Sequence, residues 1–586
     1  MAVENLITEH IDIWTSAVKT KSTSGRGSSN KLELYGVKKL RELILELAVR
    51  GKLVPQDPND EPASVLLERI AQEKAQLVKE KKIKKPRKYE PIDDNSLPFN
   101  IPSSWKWARI EDLGHDLGQK KPDKTFTYVD VGSINKELGY IDEPSILEHS
   151  EAPSRARKLV QKNTVIYSTV RPYLLNIAVI DRDFNPEPIA STAFAIIHPL
   201  SGISSSYIYR YLRSPSFIEY VESVQTGIAY PAINDKQFFF GLIPVPPSAE
   251  QHRIVAKVDE LMALCDQLEQ QTEDSIEAHQ VLVTTLLDTL TNSADADELM
   301  QNWARISEHF DTQFTTEESI DQLKQTILQL AVMGKLVPQD PSDEPAAELL
   351  KRIAEEKAQL VKENKIKKQK ALPPISEDEK PFELPSGWEW CRLGDLELSS
   401  EAGWSPKCLD TPRSEDNWGV LKVSAVTWNQ YNPMENKELP NSLAPREHLE
   451  VQDGDFLISR ANTADLVAKA VIVPNDSPTH LMMSDKIIRF RFSDKVSSHY
   501  INLFNNSQFA RNYYSQVAGG TSSSMKNVSR EQIKNLLICL PPVATQTAII
   551  DIVGCFFDIC EQLKQKVQEN QITQFQLTDA IVEQAV

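Results

Sequence analysis

Apolar residues recur at helical spacing in two long stretches, each opened by a proline pair. After Pro246-Pro247, the residues Ile254, Val258, Leu261, Cys265 and Leu268 step along the chain at i, i+4, i+7, i+11 and i+14; after Pro541-Pro542, Ile549, Val553, Phe556, Cys560 and Leu563 repeat those steps. This is the apolar face of an amphipathic helix. Proline is tolerated at a helix start and not inside, so the proline pairs set where each helix begins. A helix of roughly 40 residues spans about 60 Å. The stripes predict an intramolecular helical core, with a separate partner groove as the alternative; two similar helices packed on each other would serve as a ruler between domains. Elsewhere the pattern shortens: NTVIYSTV (163–170), FAIIHPL (194–200), GDFLISR (454–460) and KIIRFRF (486–492) are β-branched or aromatic runs bounded by turn residues, and they predict strands.

Those elements occur twice. Residues 44–85 recur at 327–368 with 34 of 42 positions identical and a constant offset of 283. At the same offset LPFNIPSSWKWARIEDL (97–113) matches KPFELPSGWEWCRLGDL (380–396), which aligns Trp105 and Trp107 with Trp388 and Trp390. IPVPPSAEQHRIVAKVDELMALCDQLEQ (243–270) matches ICLPPVATQTAIIDIVGCFFDICEQLKQ (538–565) at an offset of 295. Between these borders, 114–240 and 397–537 share little. A fixed internal period means a duplicated architecture: the frame is kept and the interiors have diverged, as expected of a frame that meets two copies of one partner while the interiors read two different things. The fold class is α/β (α+β): two mixed, strand-rich domains separated by long paired α-helices, with pseudo-twofold duplication. Within each repeat GKLVPQDP leads into a proline-rich connection, where Gly51 and Gly334 are placed as helix C-caps. The lysine-rich EKKIKKPRK and ENKIKKQK that follow read as solvated helix ends or linkers, with a phosphate-tracking tether as the alternative. The tryptophans stand at matched positions although the blocks differ, which favours core packing over base stacking.

Composition narrows the partner. The net charge of −18 argues at first against nucleic acid, but residues 97–245 carry 15 Lys+Arg against 16 Asp+Glu and residues 380–540 carry 17 against 19. The excess negative charge lies in the helical segments, so two near-neutral blocks remain free to gather cations on one face. The six cysteines form no C-x-x-C pair and read as reduced, mostly buried small hydrophobes. No run approaches the roughly 18 apolar residues of a membrane span and the amino terminus lacks a signal pattern, so a cytoplasmic chain without a membrane partner is expected. Catalytic signatures are missing. GGTSSSMK (519–526) has the wrong spacing for a phosphate-cradling loop, no Asn/Asp-Pro-Pro-aromatic segment marks an adenine methyltransferase, no H-x-x-x-H pair suggests a metal, and Asp485-Lys486 is too short a fragment to support a nuclease.

The Pro-Pro segments, P-x-P-P in the first copy, followed by EQHRI or TQTAI and a long helix, twice over around blocks opening with IPSSWKWARIEDLG and LPSGWEWCRLGDL, resemble the specificity subunits of type I restriction-modification enzymes. LILELAVRGKLVPQDPNDEPASVLLERI resembles one subfamily of them. The resemblance implies a non-catalytic chain: an N-terminal helical region at 1–96, a target recognition domain at 97–245, a central helical region at 246–379, a second target recognition domain at 380–540 and a closing helix at 541–586. Each target recognition domain would read half of a split double-stranded DNA site. The helices would set the unread gap and dock two modification subunits, which bind S-adenosylmethionine, and restriction subunits that translocate DNA with ATP and Mg²⁺ would join the full complex. This chain itself would bind no cofactor. One departure stands out: TQTAI replaces EQHRI, so ion pairs of Glu250 and Arg253 cannot be duplicated.

Base edges are read most often by Arg or Lys on guanine and Asn or Gln on adenine, and phosphates are held by Lys, Arg, Ser and Thr. Two segments in each block offer such side chains after a strand or a glycine turn. STVRPYLLN (168–176), with Arg171, Tyr173 and Asn176, has a rough counterpart in SRANTADL (459–466), with Arg460 and Asn462; TGIAYPAINDKQ (226–237), with Tyr230, Asn234 and Lys236, pairs with GGTSSSMKNVSRE (519–531), with Thr521, Ser523, Lys526 and Asn527. The second place is also favoured by the family resemblance. Two other readings remain: a duplicated scaffold that binds protein or glycan, and a self-contained methyltransferase or nuclease.

Overall fold

In the computed structural model the helix Tyr35–Val49 ends at Arg50, and Gly51 follows with φ of +69°; the repeat helix Glu317–Val332 ends at Met333, and Gly334 follows with φ of +70°. Lys52 N donates to Leu47 O at 2.9 Å and Lys335 N to Leu330 O at 3.0 Å, the C-cap geometry expected of a glycine just past a helix. No side chain fits there: a Cβ on either glycine would stand 2.5 Å from Cγ of Pro102 or Pro385. The structure describes residues 3–21, 31–87, 89–93, 95, 97–227, 229–294, 296–414, 417–427, 430–520 and 525–586.

These form two compact units, Met1–Ser275 with Gln571–Val586, and Ile276–Asn570. The predicted long helices are Ser248–Thr291 and Val543–Ala585. Both cross the division, so each unit completes its helical layer with the end of the helix that the other repeat begins. In the first unit Ile254, Val258, Leu261 and Cys265 are fully buried, and Arg41 reaches Asp266 and Glu269, both at 2.7 Å, from Tyr35–Val49. The end of the second long helix adds Phe575 and Asp579 against Tyr35. In the second unit Ile549, Val553 and Cys560 share a core with Val283, Leu287 and Leu290 and with Ile320, Leu323 and Ile327. Phe556 and Leu563 are only partly buried there, and the Phe556 ring meets Trp303, 5.4 Å between centroids. Trp303 lies on Ala296–Ser307, which with Phe310–Gln313 precedes Glu317–Val332 as Val3–Glu9 and Ile11–Ser16 precede Tyr35–Val49.

Within each unit the strand-rich block is closed by its own ends. Lys106–Arg109 pairs antiparallel with Leu242–Val245, and Glu389–Arg392 with Leu537–Leu540. Inside, each has two larger sheets. The first block holds Ile177–Val179, Val165–Ser168, Phe194–Pro199 and Gly114–His115 in that order, and a sheet ordered Ser145–Leu147, Phe126–Val129, Pro188–Ser191, Ala156–Leu159 with one parallel pair. The second block repeats this with Glu397–Ala402, Ile487–Phe492, Phe456–Ser459 and Ala470–Ile472, and with Asn436–Glu438, Gly419–Leu421 and Leu481–Met482, again with one parallel pair. All four predicted strand runs are strands, and each contains consecutive buried residues because both sheet faces are covered. Trp105, Trp388 and Trp390 are buried and Trp107 is half-buried against Phe99, in keeping with core packing. Four cysteines are buried, while Cys408 is half-buried and Cys555 exposed; all six are free.

One helix bears on the sequence expectation about membranes. Among the described residues one helix, Val543–Ala585, is long and apolar enough to cross a membrane by length and composition, with a mean hydropathy of 1.6 over its most apolar 18 residues. Its Ile549, Val553 and Cys560 are spent on the core of the second unit.

Candidate nucleic-acid interface

A glutamine shared by the two closing motifs seats each block on its frame. Gln251 Nε2 donates to Pro246 O at 3.1 Å while its Oε1 accepts from Ser204 N at 2.8 Å; Gln546 does the same with Pro541 O at 3.0 Å and Ser497 N at 2.9 Å. Both glutamines are fully buried. Around this shared anchor the halves differ as the pentapeptides foretell. Glu250 accepts from Trp105 Nε1 at 3.0 Å and from Gln56 Nε2 at 2.5 Å, and Arg253 pairs with Asp60 at 2.6 Å. In the second half Trp388 Nε1 donates directly to Gln339, and Thr545 Oγ1 donates to Asp343 at 3.3 Å. Burial holds the Glu250 carboxyl above its usual range, against the pull of Trp105 and Gln56.

On this frame the two candidate segments of each block come together, though about fifty residues separate them in the chain. In the first block Val170 bridges Ala232, Arg171 N donates to Pro231 O at 2.8 Å and Ile233 N donates to Thr169 O at 2.9 Å. In the second, Ala461 pairs with Asn527, Asn462 with Lys526, and Val528 N donates to Arg460 O at 2.9 Å. Glycine turns support both, Gly227 with φ of +93° against Tyr230 O and Gly520 with φ of +131° against Met525 O. These bonds make Thr169 the counterpart of Arg460, and Arg171 the counterpart of Asn462.

The individual side chains divide into free and committed. Arg171 is exposed, with its guanidinium 4.9 Å from the centroid of the exposed Tyr230 ring. Tyr173 and Lys236 are exposed. Asn234 caps Asp235–Phe240, accepting from Gln237 N at 2.9 Å. Asn176 is only 9% exposed, so the surface cluster forms without it. Arg460 is half-buried, and its Nε has no hydrogen-bond partner among the described residues. Asn462 donates to Thr427 Oγ1 at 3.2 Å and accepts from Thr463 N. Lys526 Nζ donates to Gly520 O at 2.9 Å, and Asn527 is exposed. Thr521 and Ser523 lie outside the described residues.

The sequence reading passed over Lys469. Ser168 N donates to Asn176 O and Ser459 N to Lys469 O, so Lys469 occupies the place of Asn176. The only signal was its position three residues past SRANTADL, where the longer second loop returns to its strand. Lys469 is half-buried without an acidic partner among the described residues; burial first, and then Arg511, bring its ammonium down to about 8. Burial also lowers Arg511 to about 10, and its guanidinium is occupied by the carbonyls of Val467, Ala468 and Asn505. Lys158, which binds Phe194 O and Asp235, holds the 226–237 segment of the first block in a similar way.

The chain is similar to known proteins. The family model described as the type I restriction modification DNA specificity domain matches residues 102–278. The chain is 48% identical over 594 residues to the type I restriction enzyme EcoEI specificity subunit of Escherichia coli, and 41% identical over 606 residues to the EcoAI specificity subunit of the same species, in each case over the full length of both proteins. A chain solved in work on complex assembly and conformational transition of the type I R-M system shares the fold, with a TM-score of 0.51 at 21% identity over 83% of this chain and 99% of that one. The protein therefore belongs to the specificity subunits of type I restriction enzymes, the non-catalytic members that supply recognition of the DNA target.

Proposed function

We propose that each strand-rich block, 97–245 and 380–540, reads one half of a two-part duplex DNA site through its joined loop pair. In the first block these are 168–176 with 226–237; in the second, 459–469 with 519–531. The helical regions 1–96, 246–379 and 541–586 dock two modification subunits and set the unread gap, since half-site spacing is a geometric property of the protein. S-adenosylmethionine belongs to the modification subunits, and ATP with Mg²⁺ to restriction subunits, within a cytoplasmic complex. The observation that carries this reading is that one backbone bridge, Val170 to Ala232 and Ala461 to Asn527, presents unlike side chains from a like frame. Two readers built on one plan need this: phosphate and frame contacts stay constant while base contacts change.

The test is methylation mapping. The chain is co-purified with its cognate modification subunit and given random DNA and S-adenosylmethionine. Adenine methylation confined to a two-part motif with a fixed gap, and absent without the chain, is the expected result. A complex that assembles and methylates without sequence preference would overturn the reading.

A further inference from the structure

The loops of the two readers differ in chemistry. The second presents Asn462, Thr463, Lys469 and Lys526, and among the described residues of 459–469 and 519–531 only Met525 is a strongly exposed large apolar side chain. The first presents carbon: Val170 is 43% exposed, Tyr173 53%, Leu174 40% and Tyr230 68%. Backbone strain holds these groups out. Arg171 and Leu175 bracket the turn Pro172–Leu174 with φ of +50° and +51°, a left-handed conformation that residues with a Cβ rarely adopt. The second reader shares only the later corner, at Ala468 with φ of +58°. The turn is pinned by buried Pro172, by Leu174 N to Arg171 O at 3.0 Å and Leu175 N to Pro172 O at 2.9 Å, and by the Arg171 guanidinium on Tyr230.

On a chain that recognises DNA, an exposed apolar turn gains nothing from phosphates or from amide and carbonyl edges. The apolar group that the major groove offers is the C5-methyl of thymine. We infer that Tyr173 and Leu174 are specificity-determining residues that contact a thymine methyl in the half-site of the first reader, with Tyr230 flanking them; this rests on the reading of the loop pairs as the DNA-facing surface. The second reader works instead through hydrogen-bonding groups.

The test uses the full chain in complex with its modification subunit, once its two-part motif is mapped. Tyr173→Ala and Leu174→Ala should relax one and the same position of one half-site, and that position should be a T·A pair. Replacing its thymine by deoxyuridine, which removes only the methyl, should lower wild-type affinity about fourfold and the variants' affinity no further. Relaxation at a position without thymine, or tolerance of deoxyuridine at every thymine of that half-site, would overturn the inference. Asn462→Ala in the second reader separates the two levels. If it relaxes the other half-site while Tyr173→Ala relaxes none, the loops read DNA and the thymine contact is wrong; if neither variant relaxes anything, the DNA-facing reading fails with it. Loss of the modification subunit from Tyr173→Ala on size-exclusion chromatography would make the turn a protein contact and also end the inference.

Discussion

Arg171 and Arg460 look like equivalent residues in the sequence, yet within each block the backbone bonds make Arg171 the positional counterpart of Asn462 and Arg460 that of Thr169. A base contact depends on where a side chain stands on its loop, so equivalence has to follow the hydrogen bonds and not the letters. Arg171→Ala should relax one half-site and Asn462→Ala the other, each by about ten- to a hundredfold in discrimination if the contact is bidentate; the methylation profile of each variant reads this directly. Equal loss on all sequences would make the residue a phosphate contact. Lys469 adds a pH dependence. Burial holds its ammonium at about 8, below the 10.5 of a free lysine, so it is charged below pH 7 and largely neutral above pH 9. If it meets a phosphate, binding favours the charged form. Affinity for the second half-site should then be flat below pH 7 and fall as pH rises through 8, by at most about tenfold per unit, and Lys469→Gln should abolish that fall. Anisotropy titrations between pH 6.5 and 9.5 measure it.

The frame elements carry the clearest energetic contrast between the repeats. Trp105 is anchored on the fully buried Glu250, whereas Trp388 is anchored on Gln339 with no carboxylate below it. Glu250→Ala would orphan the Trp105 Nε1 donor and should cost about 1–3 kcal/mol; Glu250→Gln keeps an acceptor and should cost far less. Because burial raises the Glu250 pKa above its unfolded value, the native state holds the proton more tightly. Its contribution is most favourable below pH 4.5 and is lost as pH rises through the folded pKa, so the neutral-pH penalty should vanish in Glu250→Gln. Thermal unfolding of both variants from pH 5 to 8 checks the sign. Gln251 and Gln546, by contrast, make the same two bonds in both halves. In EQHRI and TQTAI only the glutamine and the isoleucine agree, and those are the anchor and the first core residue of the stripe.

At the scale of the whole molecule, a unit is not a stretch of chain. Residues 571–586 belong to the first unit, where Tyr35 donates to Asp579 at 2.7 Å and packs edge-on against Phe575. Burial and that carboxylate push the Tyr35 phenol up to about 12. Deleting 571–586 should therefore loosen Tyr35–Val49, more than five hundred residues away in sequence, and leave Glu317–Val332 protected; hydrogen exchange followed by mass spectrometry distinguishes the two helices. The charge distribution makes a second prediction. With a net charge of −18 and near-neutral strand-rich blocks, the chain alone should bind duplex weakly at physiological salt, and its complex with modification subunits should bind more tightly with a steeper salt dependence.

The duplication, the two long helices, the strand runs, the glycine caps and the family are all written in the sequence, because periodicity, repeat identity and turn chemistry are local properties that survive without a partner. The loop pairs were legible as separate candidates. That they meet depended on strand pairing across more than fifty residues, and that Asn176 sinks inward while Lys469 takes its place depended on how each block packs around its loop; the Asn234 cap, three residues from Gln237, is local. The allocation of the last helical turns to the first unit is likewise a tertiary decision: an amphipathic stripe states that it must be covered, and only the packed chain states by what.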